Sequence, residues 1–382
     1  MTGRGSPMTR RTSLTAAPAK AVMGKKALIA MSGGVDSSVA AFLTKQAGYD
    51  CIGVTMKLFQ NEDIGVSRAK TCCSLDDVED ARSVARRLGI PYYVFNFSRD
   101  FKVQVIDRFA AAYESGATPN PCIDCNRYLK FERLFQRARE LGCEAIVTGH
   151  YARIEKQNGR YILKKALDKS KDQSYVLYML TQEQLAHIRF PLGALSKSEV
   201  RRIAEAQGFC NSEKPDSQDI CFISDGDYVA FFEQYTGKPY PTGDILDLSG
   251  QVIGQHRGAV RYTAGQRKGL GLALNKPVYV CRKDMTANTV TVGPEQSLYS
   301  QELWADDVNW IATDHLSGPM RVYAKIRYRQ TEQPSTVYPD KSGKIRLLFD
   351  KPQRAVTAGQ AAVLYNGDIV VGGGTILKTV QF

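Results

Sequence analysis

Two groups of residues in this chain have the types and spacing to do chemistry. The first is Ser32-Gly33-Gly34-Val35-Asp36-Ser37-Ser38, which follows the apolar run Ala27–Met31 directly. Paired glycines let a backbone turn sharply and bring successive N–H groups close to an anion. A helix starting here adds its N-terminal donors and partial positive charge, so phosphate is the expected guest. Asp36 among phosphate donors would be repelled without an intervening cation, which implies Mg²⁺. The loop is neither the G-x-x-x-x-G-K-[ST] of γ-phosphate-cleaving enzymes nor the G-x-G-x-x-G of dinucleotide folds.

The second group is sulfur. Thr118-Pro-Asn-Pro121 leads into Cys122-Ile-Asp-Cys125, which opens a helical pattern reaching Leu141. Cysteines at i and i+3 share a helix face, and the first turn of a helix favours the thiolate, the form that attacks or binds metal. Arg127 and Lys130 add positive charge. Nearly a hundred residues later, Asp216-Ser-Gln-Asp-Ile-Cys221-Phe-Ile223 places another cysteine among acids and loop-formers, where it could return to meet Cys125 across a cleft. Cys51, Cys143, Cys210 and Cys281 read instead as buried small hydrophobes. Nine cysteines with no secretory signal argue for a reducing compartment.

The elements that must position these groups alternate. Ala27–Met31, Cys51–Met56, Tyr92–Phe97 and Glu144–Thr148 read as buried strands. Between them, Val39–Gln46, a segment capped by Ser74 and stopping at Gly89, and Cys125–Leu141 read as helices. This alternation predicts an α/β parallel sheet whose ligand sits at the carboxyl ends of the strands. After about Asp225 the pieces become short and strand-like: Arg257–Tyr262, Pro277–Arg282, Thr289–Val292, Met320–Tyr328, Ser335–Tyr338, Lys344–Phe349, Ala361–Tyr365 and Ile369–Val371. The expected division is a basic tail over 1–24, a nucleotide-binding domain over 25–225, a small β-rich domain over 226–298 and a β-barrel over 299–382.

The formal charge is +12, and Arg4, Arg10, Arg11 and Lys20 in the tail account for four of it. The rest still suggests a polyanionic partner such as RNA. No apolar run approaches the ~18 residues of a membrane-spanning helix. The tail lacks the apolar stretch of a secretory signal; a plain tail ahead of a start at Met23 is preferred over a transit peptide.

Ser32–Ser38 resembles the pyrophosphatase (PP) loop of ATP enzymes that transfer AMP to a carbonyl oxygen, a class that includes small-molecule ligases. The cysteine segments narrow it. Taken in order, MSGGVDSSVAA, TPNPCIDCNRYLKF, TGHYAR, KDQSYVLY, DSQDICFI, YTAGQRKGLG, KIRYRQT and AVTAGQAAVLYNG resemble the bacterial tRNA-specific 2-thiouridylases over nearly all of 25–382. The resemblance implies a PP-loop ATPase domain (adenine nucleotide alpha hydrolase-like), a β-rich central domain and a C-terminal barrel. It implies a cytoplasmic enzyme that adenylates O2 of the wobble uridine of tRNAs for Lys, Glu and Gln and replaces that oxygen with sulfur. It assigns ATP contacts to Ala30, Met31, Ser32, Gly33, Gly34, Val35, Asp36, Ser37, Met56 and Gly149. Cys221 would carry a persulfide delivered by a cysteine desulfurase or sulfur-relay protein, and Cys125 would form a disulfide with it or assist sulfur release. Asn120, Pro121 and Cys122 would meet the target base. His150, Lys171, Asp172, Gln173, Arg327, Tyr328 and Gln360 would contact tRNA.

Relatives carry an acid or a cysteine at the position of Cys122, and a proline is usual at that of Ala358. With cysteine present, Cys122, Cys125 and Cys221 could hold three irons of a [4Fe–4S] cluster, an alternative placed behind the persulfide route. Zinc through Cys122 and Cys125 would need two further ligands, for which no residue is nominated. Arg321–Arg329 alternates, which puts Arg321, Tyr323, Lys325, Arg327 and Arg329 on one strand face and buries Tyr328 on the other. The carried-over role would expose Tyr328 instead. Lys164, Lys165, Lys169 and Lys171, with Arg261, Arg267 and Lys268, would extend a phosphate-binding track.

Overall fold

The computed structural model describes residues 24–59, 75–216, 220–223 and 228–380, of which residues 378–380 are described for backbone only. Residues 1–23 and Ser74, the expected helix cap, lie outside the described residues.

The first seven strands are β1 (Lys26–Ala30), β2 (Asp50–Lys57), β3 (Tyr92–Asn96), β4 (Ala145–Val147), β5 (Ala152–Gln157), β6 (Arg160–Lys165) and β7 (Ile188–Arg189). Five of them form a parallel sheet in the order β3-β2-β1-β4-β7. Alternate residues of β1 feed two cores. Leu28 packs with Val54, Ile146, Phe101 and Leu129, while Ala27 and Ile29 pack with Val39, Ala40 and Val84. The latter come from helices α1 (Val35–Gln46) and α2 (Leu75–Leu88). Sequence order reverses between β1 and β4, so a crevice opens beyond the ends of those two strands. Helical residues 98–114 and 121–140 each contain a stretch wound wider than an α-helix, at Lys102–Asp107 and Cys125–Arg133. Such stretches are frequent beside functional sites.

A second sheet holds β8 (Gly243–Leu246), β9 (Val252–His256), β10 (Tyr279–Asp284) and β11 (Thr289–Gly293) in the order β10-β11-β8-β9. The strand expected at Arg257–Tyr262 is absent: Gly258 at φ 100° turns the chain, and Ala259–Arg261 forms a 3₁₀ turn.

The third sheet contains β12 (Tyr299–Trp310), β13 (Met320–Lys325), β14 (Gln333–Pro339), β15 (Ile345–Arg354), β16 (Ala361–Asn366) and β17 (Ile369–Val380). Because β12 pairs with both β15 and β17, these six antiparallel strands close into a barrel without an open edge. Leu303, Ala324, Val337, Leu347 and Leu364 fill it. β13 stops at Lys325, where the Gln330 side chain accepts the Ile326 N–H at 3.1 Å and the chain turns. The face shared by Arg321, Tyr323 and Lys325 therefore does not continue through Arg327 and Arg329. The hairpin β5–β6 crosses over to the barrel, pairing Lys164 with Ile369.

Candidate active site

The loop after β1 is built as its glycines require. Gly33 has φ +76°, and a Cβ there would stand 2.3 Å from the Asp77 carbonyl oxygen. Gly34 is the extended N-cap of α1. Ser37 Oγ accepts from Ser32 N–H at 3.1 Å and donates to the Gly34 carbonyl at 2.9 Å, folding the loop onto the first helical turn. Asn211 Nδ2 holds the back, donating to Gly33 O at 2.8 Å and Ser38 Oγ at 2.9 Å. On the open side the donors of the α1 N-terminus remain for an anion. Gly149, leaving β4, approaches so closely that a Cβ would be 2.8 Å from Asp36 C and Ser37 N. Ala30, Ser32, Met56 and Gly149 line the crevice, and Met31 and Val35, which also border it, are buried in the core beneath.

Asp36 opens on the crevice at the start of α1. Its carboxylate accepts from Lys197 Nζ at 2.7 and 2.9 Å and from the Tyr151 hydroxyl at 2.8 Å. Lys197 therefore places a positive charge of the protein itself beside this carboxylate. Lys197 also reaches Asp216 at 2.6 Å, and Lys171 holds the other Asp216 oxygen at 2.9 Å. Burial disfavours the charged form of Asp216, but Lys197 and Lys171 outweigh it and hold the carboxyl below its usual range. Sequence reasoning missed Lys197, Tyr151, Asn211 and Lys214, which joins Asp77 and Asp80 at 2.6 and 2.7 Å. The capping box of Ser196 and Glu199, which starts the helix Lys197–Ala206, was the available signal for Lys197.

The sulfurs sit on the same crevice. Asn120 Oδ1 accepts the Cys122 N–H at 3.1 Å and caps a helix with Pro121 in its first turn. Cys122 is exposed, and Cys125 and Cys221 are half-buried. Cys125 and Cys221 both pack against one core, which includes Phe101 and Phe222. All three thiols line a cleft of about 1230 Å³ that is also lined by Ser32, Gly34, Val35, Asp36, Ser37 and Gly149. Lys130 faces this cleft, whereas Arg127 turns away to Asp307 of the barrel. Among the described residues no group of three or more His, Cys, Asp or Glu side chains is arranged to hold a metal. Cys51, Cys143 and Cys281 are buried as expected, but Cys210 is exposed, its Sγ 3.6 Å from Asp80 Oδ1 beyond the turn that ends its helix.

The residues assigned to tRNA divide. Lys171 and Tyr328 line the cleft, Tyr328 with its ring 6.0 Å from Tyr175, half-buried rather than hidden or free. His150 lies buried in the floor, its Nδ1 2.7 Å from Thr148 Oγ1; burial first, then Lys130, keeps it neutral. Asp172 caps the turn at Ser174, and Gln173 accepts the Tyr151 N–H at 3.0 Å, so both brace the cleft wall. Arg327 and Gln360 bond to backbone carbonyls of Ala355 and Thr118. Of the lysine track, Lys164 pairs with Glu155, Lys165 with Glu332 and Lys171 with Asp216, while Lys169 is exposed at the cleft, whose lining also includes Lys325 and Arg329.

A phosphate-cradling loop at the switch point of a parallel sheet, with thiols facing it and a barrel behind, defines a nucleotide-dependent enzyme with an appended β-module. Comparison with known proteins agrees. The families described as "tRNA methyl transferase HUP domain", "tRNA methyl transferase PRC-barrel domain" and "Aminomethyltransferase beta-barrel domain" match residues 25–225, 229–294 and 300–376. The tRNA-specific 2-thiouridylase MnmA of Clostridioides difficile (strain 630) is 50% identical over 94% of this chain and 99% of its own. That of Acetivibrio thermocellus is 51% identical over 92% and 99%, and that of Symbiobacterium thermophilum 50% over 99% of both. This chain belongs to the tRNA-specific 2-thiouridylase family.

Proposed function

We propose that this chain is an ATP-dependent tRNA-uridine 2-sulfurtransferase acting on the wobble uridine. The observation that carries the reading is that Cys125 and Cys221, far apart in sequence, line one cleft with the Ser32–Ser38 loop.

A uracil 2-carbonyl oxygen is a poor leaving group, so it must first be activated. O2 attacks the α-phosphorus of ATP; the O2–P bond forms, and the bond to the β-phosphate breaks, releasing pyrophosphate. The loop amides and the α1 N-terminus stabilise the charge on the phosphates. The donor set fits ATP, and Asp36, whose carboxylate lines the cleft beside Lys197, would hold a Mg²⁺ together with phosphate oxygens and water. When bound, that ion would neutralise phosphate charge. The terminal sulfur of a persulfide on Cys221 then attacks C2, and the C2–O bond breaks as AMP departs with the oxygen. Cys125 thiolate attacks Cys221 sulfur; that S–S bond breaks, its electron pair stays with the sulfur now on C2, and a Cys125–Cys221 disulfide forms. An external thiol must reduce it. The target base reaches the cleft only unstacked, past Asn120-Pro-Cys122.

The persulfide route needs only the two thiols Cys125 and Cys221 that line the cleft, and is preferred to a [4Fe–4S] cluster, which would draw on Cys122 as well. The sulfur donor is a persulfide-bearing protein, the substrates are tRNAs for Lys, Glu and Gln, and the setting is the cytoplasm. Among the described residues no helix is long and apolar enough to cross a membrane. Nucleoside mass spectrometry of tRNA from cells lacking the gene tests the reading: 2-thiouridine derivatives disappear and return with the wild-type gene but not with Asp36→Ala or Cys221→Ser. Persistence of every 2-thiouridine derivative in a strain with no paralogue overturns it.

A further inference from the structure

Family resemblance gives Gln360 to tRNA, yet its side chain points into the protein. Gln360 Nε2 donates to the Thr118 carbonyl at 2.5 Å, and the Thr118 N–H donates to the Ala358 carbonyl at 2.9 Å. Between these bonds lies Gly359 at φ +87°, where a Cβ would stand 3.0 Å from Ala117 Cβ, 3.1 Å from Thr118 N and 3.2 Å from Pro119 N. The turn is rooted in the barrel: Gly359 N–H donates to the Ile376 carbonyl and Ile376 N–H to the Gln360 carbonyl, both at 2.8 Å. Its other end is braced by Arg327, whose guanidinium donates to the Ala355 carbonyl. Thr118 lies two residues before Asn120, the cap of the helix that carries Cys122 and Cys125.

We propose that the barrel turn 355–360 is a strut for the base-approaching loop, and that Gln360 is a positioning residue, braced by Arg327, which sets Cys122 and Cys125 over the cleft. The barrel is then part of the active site and not only a surface for RNA. Two hydrogen bonds and a close-packed glycine fix the loop from outside the nucleotide domain. Without them the loop gains freedom at the thiols, and a displacement of about 1 Å at a reacting group lowers rate on the order of 100-fold.

The kinetic part of the test rests on the thiouridylase reading; the chemical part does not. Gln360→Met keeps the side-chain length and removes the donor. The strut predicts that kcat for 2-thiouridine formation falls at least tenfold while the Kd for tRNA stays within twofold. It also predicts that iodoacetamide alkylates Cys125 several-fold faster in the variant than in the wild type, without tRNA present. Gly359→Ala, which removes no polar group, shows the same pattern. An unchanged Cys125 alkylation rate in both variants, or a tRNA Kd raised tenfold with kcat intact, overturns the proposal. A wild-type protein making no 2-thiouridine defeats the functional reading, and the alkylation rates still judge the strut.

Discussion

Gly33 and Gly34 are adjacent and alike in sequence, but the structure gives them different burdens. Replacing Gly33 with alanine puts an L-residue at φ +76°, which costs roughly 1–2 kcal/mol. The new Cβ also falls 2.3 Å from Asp77 O and 2.7 Å from Asp77 Cα. These are backbone atoms in the first turn of α2, so α2 or the loop must move, and such overpacking costs roughly 1–3 kcal/mol. Together the substitution should destabilise the apo domain by about 3 kcal/mol. Gly34 has φ −90° and ψ 159°, and its Cβ would meet only Ser32 Oγ at 3.5 Å, an ordinary contact. Gly34→Ala should therefore cost under about 1 kcal/mol. Urea unfolding of the two apo variants, followed by circular dichroism, measures the difference. Where Gly33→Ala folds with its loop displaced, restoring the seat weakens ATP binding on the order of 100-fold, read by calorimetry. Equal losses for the two variants, or a Gly33→Ala loss below about 0.5 kcal/mol, would refute the reasoning.

Other expectations follow from the same site. Lys197→Met leaves Asp36 and Asp216 facing the nucleotide without their shared cation; the KM for ATP should rise at least tenfold, and initial rates with an unchanged KM would count against it. His150 has a folded pKa well below its ordinary 6.5 because of burial. As pH falls below about 6.5 the unfolded chain takes the proton first, so this contribution to stability is present above that pH and is lost at up to about 1.4 kcal/mol per unit below it. Unfolding between pH 7 and 5 should show a shallower slope for His150→Asn. Iodoacetamide at pH 8, read by peptide mass spectrometry, should label exposed Cys122 and Cys210 and spare Cys51, whose thiol burial pushes up to about 11. Anaerobically purified protein should be fully active without iron or acid-labile sulfide; activity that tracks iron content would contradict the persulfide route.

The parallel sheet was legible because its signals are local. Ala27–Met31 and Cys51–Met56 are continuous apolar runs, and paired glycines at a strand end with a helix behind them have few other uses. The cleft gathers the loop and the three cysteines whose settings stood out. What escaped depends on partners distant in the chain. Lys197 meets Asp36 across 161 residues, and Gln360 meets Thr118 across 242; neither pairing leaves a periodic trace. The β5–β6 hairpin was unread because its register is completed by β17. Misreadings have local causes too: alternation at Arg321–Arg329 resembles a longer strand than the Gln330 side chain permits, and Gly258 converts an apparent strand into a turn. Cys210 was placed inside by residue type, whereas its position beyond a helix end exposes it.

A single turnover examines the chemistry itself. Enzyme loaded with persulfide on Cys221 is mixed with unmodified tRNA and ATP, quenched in acid, and its peptides are resolved by mass spectrometry alongside the tRNA nucleosides. The account predicts one Cys125–Cys221 disulfide for each 2-thiouridine formed, and neither product when ATP or tRNA is omitted. Thiolated tRNA with both cysteines still reduced, or undiminished thiolation by Cys221→Ser, would contradict it.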